Sequence, residues 1–286
     1  MVLLTSWFYI IFSYLTLIVN YALVIALFNN FIKKKTAGTI ILFTAYLIVT
    51  LATTFGAITY TLEILPIRLE VIGVLFSIST VGSQFGLLLI YVFSTRHILK
   101  DGDVLKNLTI SIFSAFLGFI LTIYLLGVFN VTEQFPNFTP PTKEIYWWQL
   151  IRTNIPNSDL YNIAGYMGLS IGIIFIEIYI NIRIAIKAFV LAKKTDKMIR
   201  IRGLQMIAWG LLLMLIGGII IGLEVGMPWP SNSNMPTLFW ALRKITFLIA
   251  YFLLYIGWIM PDWFRKRIRE KTWFEMRYKE VDKFSQ

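Results

Sequence analysis

Lysine and arginine fall along this chain in blocks, and the blocks alternate with gaps nearly free of cations. Of 26 such residues, 21 lie in four segments. These are Lys33, Lys34 and Lys35; Arg96, Lys100 and Lys106; seven from Arg183 to Arg202; and eight from Arg265 to Lys283. The intervening gaps hold only Arg68, Lys143 and Arg152, and the last two cations, Arg243 and Lys244, sit within an apolar stretch. Positive residues in short loops stay on the cytoplasmic side of a membrane. The pattern therefore predicts an odd number of crossings, an N-terminus outside and a basic tail inside.

Each crossing of a hydrocarbon core about 30 Å thick needs roughly 20 apolar residues. Seven stretches qualify, at about 6–28, 37–60, 71–93, 108–129, 161–182, 204–223 and 238–260. They predict an all-α, polytopic seven-helix bundle over 1–260, followed by a basic juxtamembrane tail over 261–286. The runs are apolar around their whole circumference, whereas barrel strands are about 10 residues long and alternate in polarity. With 58% apolar and 14% charged residues, no ordinary soluble domain is left over. Met1–Ser6 carries no Lys or Arg, so the first span is expected to be retained rather than cleaved as a signal peptide. The expected location is the plasma membrane, crossed several times.

The residue inventory removes most chemistry. There is no cysteine, hence no disulfide, thiolate nucleophile or Cys-held metal. His97 is the single histidine, which leaves zinc hydrolysis without a ligand set. Asp101-Gly102-Asp103 reads as a turn, not a metal motif. Gly82-Ser83-Gln84-Phe85-Gly86 imitates a nucleophile elbow, but His97 is too many helical turns away to serve it. No catalytic residue, metal site or cofactor is expected. The net charge of +11 is accounted for by the membrane surface, so nucleic acid is not an expected partner.

Ionisable residues inside a bilayer are costly, by about 2.5–3.5 kcal/mol on insertion scales, and so face protein or water. Lys244 shares a helical stripe with Trp240, Phe247, Tyr251, Tyr255 and Trp258, and Arg243 adjoins it. Glu63, Glu70 and Glu224 fall at the same outer side of spans two, three and six. Neighbouring helices would collect these groups either as ion pairs closing the bundle or as an outward-facing ligand site. Glu177 is the deepest carboxylate, with Ser170 earlier on the same face and Asn181 four residues on. It requires a partner on another helix or a place on a polar path. Asn20 in span one and Gln84 in span three complete the intramembrane polar set. Gly218-Ile-Ile-Ile-Gly222 and the hydroxyl stripes of spans one to four read as helix-packing surfaces.

A lysine in span seven invites a retinal Schiff base. Microbial rhodopsins carry an aspartate four residues earlier, where this chain has Trp240, and an acidic counterion in span three, where only Ser, Thr and Gln occur. Retinal binding through Lys244 is a minor alternative. The layout is that of G-protein-coupled receptors, without their acidic residue before Arg96 or their Asn-Pro-x-x-Tyr in span seven, and layout alone does not license function. The outer loop Asn130–Leu160 holds Pro136, Pro140, Pro141, Tyr146, Trp147 and Trp148, an interfacial belt or a cap over a cavity. Its two Asn-x-Thr triplets begin at Asn130 and Asn137. The third inner loop and the tail mix aromatics with cations, as a surface for lipid headgroups or for a cytoplasmic effector does.

The stretch Gly257-Trp-Ile-Met-Pro-Asp-Trp-Phe-Arg-Lys-Arg-Ile-Arg269 resembles the exit of span seven in archaeal seven-helix membrane proteins. Similar layouts serve as sensory input modules of membrane histidine kinases. That resemblance implies a receptor-like or sensory protein working through a separate partner. The alternative expectation is a transporter or channel with a polar path along Glu177, Gln84 and Lys244. A homo-oligomer is compatible with either.

Overall fold

The computed structural model describes residues 2–62, 69–99, 102–134, 160–226 and 235–269. Side chains of 2–9, 63–70, 122–174 and 221–234 lie outside that description, as do a few isolated ones. Seven long helices are present among the described residues. They are α1 (Val2–Lys34), α2 (Ala37–Leu62), α3 (Leu69–Ser94), α4 (Asp103–Gln134), α5 (Leu160–Lys193), α6 (Met198–Gly226) and α7 (Met235–Ile259). A π-helical turn, Thr95–Leu99, extends α3. A short helix over 262–269 follows α7. The described residues contain no strand.

In hydrocarbon, backbone N–H and C=O groups must be satisfied within the segment, and helices do this alone. Five helices have apolar lengths sufficient to cross a membrane: Ile10–Lys34, Ala37–Thr59, Ile78–Leu99, Met198–Ile220 and Leu238–Ile259; Val104–Gly118 is a shorter apolar segment. The exterior agrees with their composition. Ile11, Ile18, Ile25 and Ile32 recur every seven residues along α1, all exposed, with Ile18 at 65%. Phe175, Ile219 and Leu238 are likewise more than half exposed. Apolar surface on this scale is a cost in water and none in lipid. The chain is a multi-pass, all-helical membrane protein.

The helices pack in chain order, α1 on α2 through to α6 on α7, and α1 closes the ring against α7. α3 also touches α5 across the ring. One continuous core draws on all seven: Leu23 from α1, Tyr46 from α2, Tyr91 from α3, Phe113 from α4, Ile184 from α5, Leu211 from α6 and Leu254 from α7. It lies in the half nearest the lysine and arginine blocks, here termed the basic end.

Two helix ends at that end explain the sharp connections. Lys35 takes a left-handed backbone (φ 46) and donates its N–H to Phe31 O at 2.8 Å, closing α1. Thr36 then starts α2 through reciprocal bonds with Thr39, at 3.1 and 3.3 Å, in the manner of a capping box. α7 ends the same way at Met260 (φ 50), with Pro261 immediately after.

Of the expected Gly218–Gly222 pattern, Gly218 makes no close helix contact, and Gly222 lies outside the described side-chain positions. A Cβ at Gly218 would meet nothing within 4 Å. The glycines that let α6 approach α7 are Gly203, Gly210 and Gly217, seven residues apart, where a Cβ would come within 2.9 Å of Met260, 2.8 Å of Leu254 and 2.7 Å of Phe247. Gly257 of α7 answers Gly203, with its Cβ position 2.9 Å from Ile207 N. A seven-residue period keeps one seam facing a partner over successive turns.

The hydroxyl stripes differ as well. Thr16, Thr50, Thr53, Thr54, Thr59 and Thr61 all donate to the carbonyl four residues back in their own helix, at 2.7–3.0 Å. Self-bonding satisfies a hydroxyl in lipid without a neighbour. Tyr14–Thr61 and Tyr21–Thr54 bond across helices, joining α1 to α2 at 3.3 and 3.0 Å.

Candidate functional site

The interior polar groups are set by helix faces. On α3, Gln84 lies ten residues before Ser94, about 15 Å of rise from the helix end. On α5, Glu177 lies at the middle of the helix, and the two meet across the ring. Gln84 Nε2 donates to Glu177 Oε2 at 3.0 Å. This is the partner on another helix that a deep carboxylate requires. Tyr251 of α7 lies within electrostatic range of Glu177 and of Tyr46 on α2. Three helices thus converge on one carboxylate.

From Tyr46 an aromatic run leads to the basic end. Trp258 Nε1 donates to Tyr46 OH at 2.8 Å, linking α7 to α2 over 212 residues of sequence. The Phe93 ring stands edge-on to Trp258 at 5.4 Å and lies 4.5 Å from the His97 ring. His97 belongs to the π-helical turn and packs over Gly38, where a Cβ would come 2.6 Å from Nε2. Such turns interrupt the regular ladder and often mark functional positions.

Two asparagines are also buried in the bundle. Asn20 on α1 is 1% exposed and Asn181 on α5 is fully buried. Neither amide has a hydrogen-bond partner among the described residues, and neither does Oε1 of Gln84. Leaving such groups unpaired costs about 1–3 kcal/mol each. These interior amides therefore have bonding capacity to offer a polar guest.

No family model, curated protein or solved structure matches this chain.

Of the outer set, Trp240 is fully buried and Arg243 nearly so, at 8%. Lys244 Nζ lies 5.2 Å from the Trp240 ring centroid, a cation–π contact. The whole stripe from Trp240 to Trp258 faces the bundle, with Phe247 against Gly217 and Tyr255 and Trp258 against the core. Glu63 lies outside the described residues, as do the side chains of Glu70 and Glu224 and the aromatic loop 135–159. Sequence reasoning found Asn20, Gln84, Glu177 and Asn181 by their cost in lipid. It missed the Tyr46–Trp258 bond, for which the available signal was a tyrosine and a tryptophan in the basic third of two spans, each needing a partner when buried. Groups of three or more metal-ligating side chains are absent among the described residues.

Proposed function

We propose that this chain is a receptor-like or sensory membrane protein of seven spans, N-terminus outside and basic end in the cytoplasm, without catalysis of its own. The seven helices packed in chain order and the cation blocks at one end support the topology. The single observation that carries the functional reading is the Gln84–Glu177 bond, held inside the bundle between α3 and α5. A polar ligand entering from the outside, past Glu63, Glu70, Glu224, Trp240, Arg243 and Lys244, would exchange that bond for bonds of its own. Tyr251, Tyr46, Trp258, Phe93 and His97 then connect the exchanged groups with the π-helical turn. The ligand shifts the inner ends only if it binds the two arrangements with different affinity. A cytoplasmic effector would read the change at the Arg183–Arg202 loop and the tail, in the plasma membrane, as the archaeal resemblance implies.

The test uses spin labels at cysteines introduced at the basic ends of α3 and α6, which is clean because the chain has none of its own. Small polar compounds that raise the unfolding temperature in nanodiscs are expected to change the label distance, and Glu177→Gln to abolish the change while the protein stays folded. A stabilising compound that leaves the distance unaltered would sink the reading.

A second reading is favoured by one observation. The unpartnered amides of Asn181, one turn from Glu177 on α5, and of Asn20 on α1 suit an interior that passes a solute or proton through Gln84, Glu177 and Lys244. Flux into liposomes that Glu177→Gln removes would replace the receptor reading with transport.

A further inference from the structure

At the basic end, α6, α7 and the helix over 262–269 enclose an open groove of about 750 Å³. Its size is in the range of sites that enclose ligands, roughly 300–1,000 Å³. Leu204, Ile207 and Met260 make its wall apolar, and its charged lining among the described residues is Lys197, Arg200 and Arg269. Among the described residues no carboxylate lines it.

The sequence builds this shape. Gly203 and Gly257 bring the backbones of α6 and α7 together, since a Cβ on either would meet the other's carbonyl at 3.4 and 3.1 Å. Met260 then turns the chain through its left-handed backbone. Pro261 opens the next helix, accepting from Phe264 N and Arg265 N at 3.0 Å. Arg265 fixes the corner, donating from Nη2 to Ile259 O at 3.2 Å and pairing with Asp262 at 3.7 Å. The three lining cations are all exposed. The groove sits where the apolar lengths of α6 and α7 begin and end, Met198 and Ile259.

We infer that this groove is a binding site for an anionic phospholipid, with an acyl chain against Leu204, Ile207 and Met260 and the phosphate held by Lys197, Arg200 and Arg269. Two features of the groove choose a lipid. The apolar wall demands hydrocarbon, and three exposed cations at the level of the span ends, with no carboxylate among the described lining residues, demand an anion at headgroup depth. A free phosphate would leave the wall wet, and an uncharged chain would leave the cations without a counter-charge. The inference rests on the membrane reading of the chain but not on its receptor role.

The test is retention of added phosphatidylglycerol by the full-length protein in native mass spectrometry, starting from a neutral detergent. Phosphatidylcholine and glycerol phosphate are run in parallel. Phosphatidylglycerol is expected to be retained in preference to both, and more weakly as salt rises. The double variant R200Q/R269Q is expected to hold it on the order of tenfold less tightly, and Leu204→Trp, which fills the groove, to lose it with the cations intact. An unfolding temperature in phosphatidylcholine like that of the parent establishes that each variant is folded; should either fail, the salt dependence and the glycerol phosphate arm still decide. Equal retention of phosphatidylcholine, equal binding of glycerol phosphate, or retention unchanged in both variants would overturn the site. So would retention appearing only after truncation beyond Arg269, which would make the chain's own tail the occupant. Ligand-induced movement of α3 against α6 is measured separately, so either result can fail without the other.

Discussion

A carboxylate at the middle of a helix inside the bundle is held there by what it bonds to, and Glu177 accepts from Gln84 Nε2 at 3.0 Å. Interhelical hydrogen bonds in membranes contribute about 0.6 kcal/mol on average and up to about 1.7 kcal/mol. A double-mutant cycle on Gln84→Ala and Glu177→Ala, measured by unfolding in mixed micelles, is expected to give a coupling within that range. A coupling of zero would mean that the α3–α5 contact is packing alone. Glu177→Gln keeps an acceptor for the Gln84 amide, so it is expected to fold like the parent and to change only ligand response or flux. The Tyr46–Trp258 bond makes a parallel case. Tyr46→Phe and Trp258→Phe each remove one partner of a bond in the fully or half-buried interior. Each is expected to destabilise by about 1 kcal/mol, and the double variant by less than the sum. Strict additivity in the same unfolding assay would show that the bond couples nothing.

Among the elements, the α6–α7 seam is where space decides most. Gly210 and Gly217 face Leu254 and Phe247 with no room for a methyl, while Gly218 faces open space. Gly217→Ala is expected to destabilise by about 1–3 kcal/mol through overpacking, and Gly218→Ala to be neutral or slightly stabilising because alanine is the better helix former. Unfolding midpoints of the two variants, side by side, check this; equal effects would refute the seam. The contrast also marks what was legible beforehand. Helix positions were, because a run of about 20 apolar residues admits only one structure in lipid: the expected 37–60 and 71–93 became Ala37–Leu62 and Leu69–Ser94. The seam was not, because a spacing of four points to Gly218, which faces open space, while the contact repeats every seven. Nor was the role of the threonines, since a hydroxyl that bonds its own helix leaves the same sequence trace as one that bonds a neighbour. Glu177 was legible as a residue in need of a partner; which helix supplied it depended on the order of the ring.

At the scale of the molecule, the cation blocks and the helix order make one joint demand: every basic block lies at the same end. Lys34 closes α1, Arg96 lies in the turn after α3, Lys193 closes α5 and Arg265 follows α7. Four independent stretches of chain must therefore stay on one side during insertion, and each cation carried across would add a cost of about 2.5–3.5 kcal/mol at mid-membrane. Single cysteines at Lys34, Lys193 and Lys266, in a chain that has none, are expected to resist a membrane-impermeant maleimide applied to intact cells and to react after lysis. A cysteine at Asn137 is expected to react from outside. If Lys34 and Lys266 react from opposite sides, the number of crossings between them is odd rather than even. The ring of helices would then have to be threaded differently, and the phospholipid groove and the entry past Lys244 would no longer lie on opposite faces of the membrane.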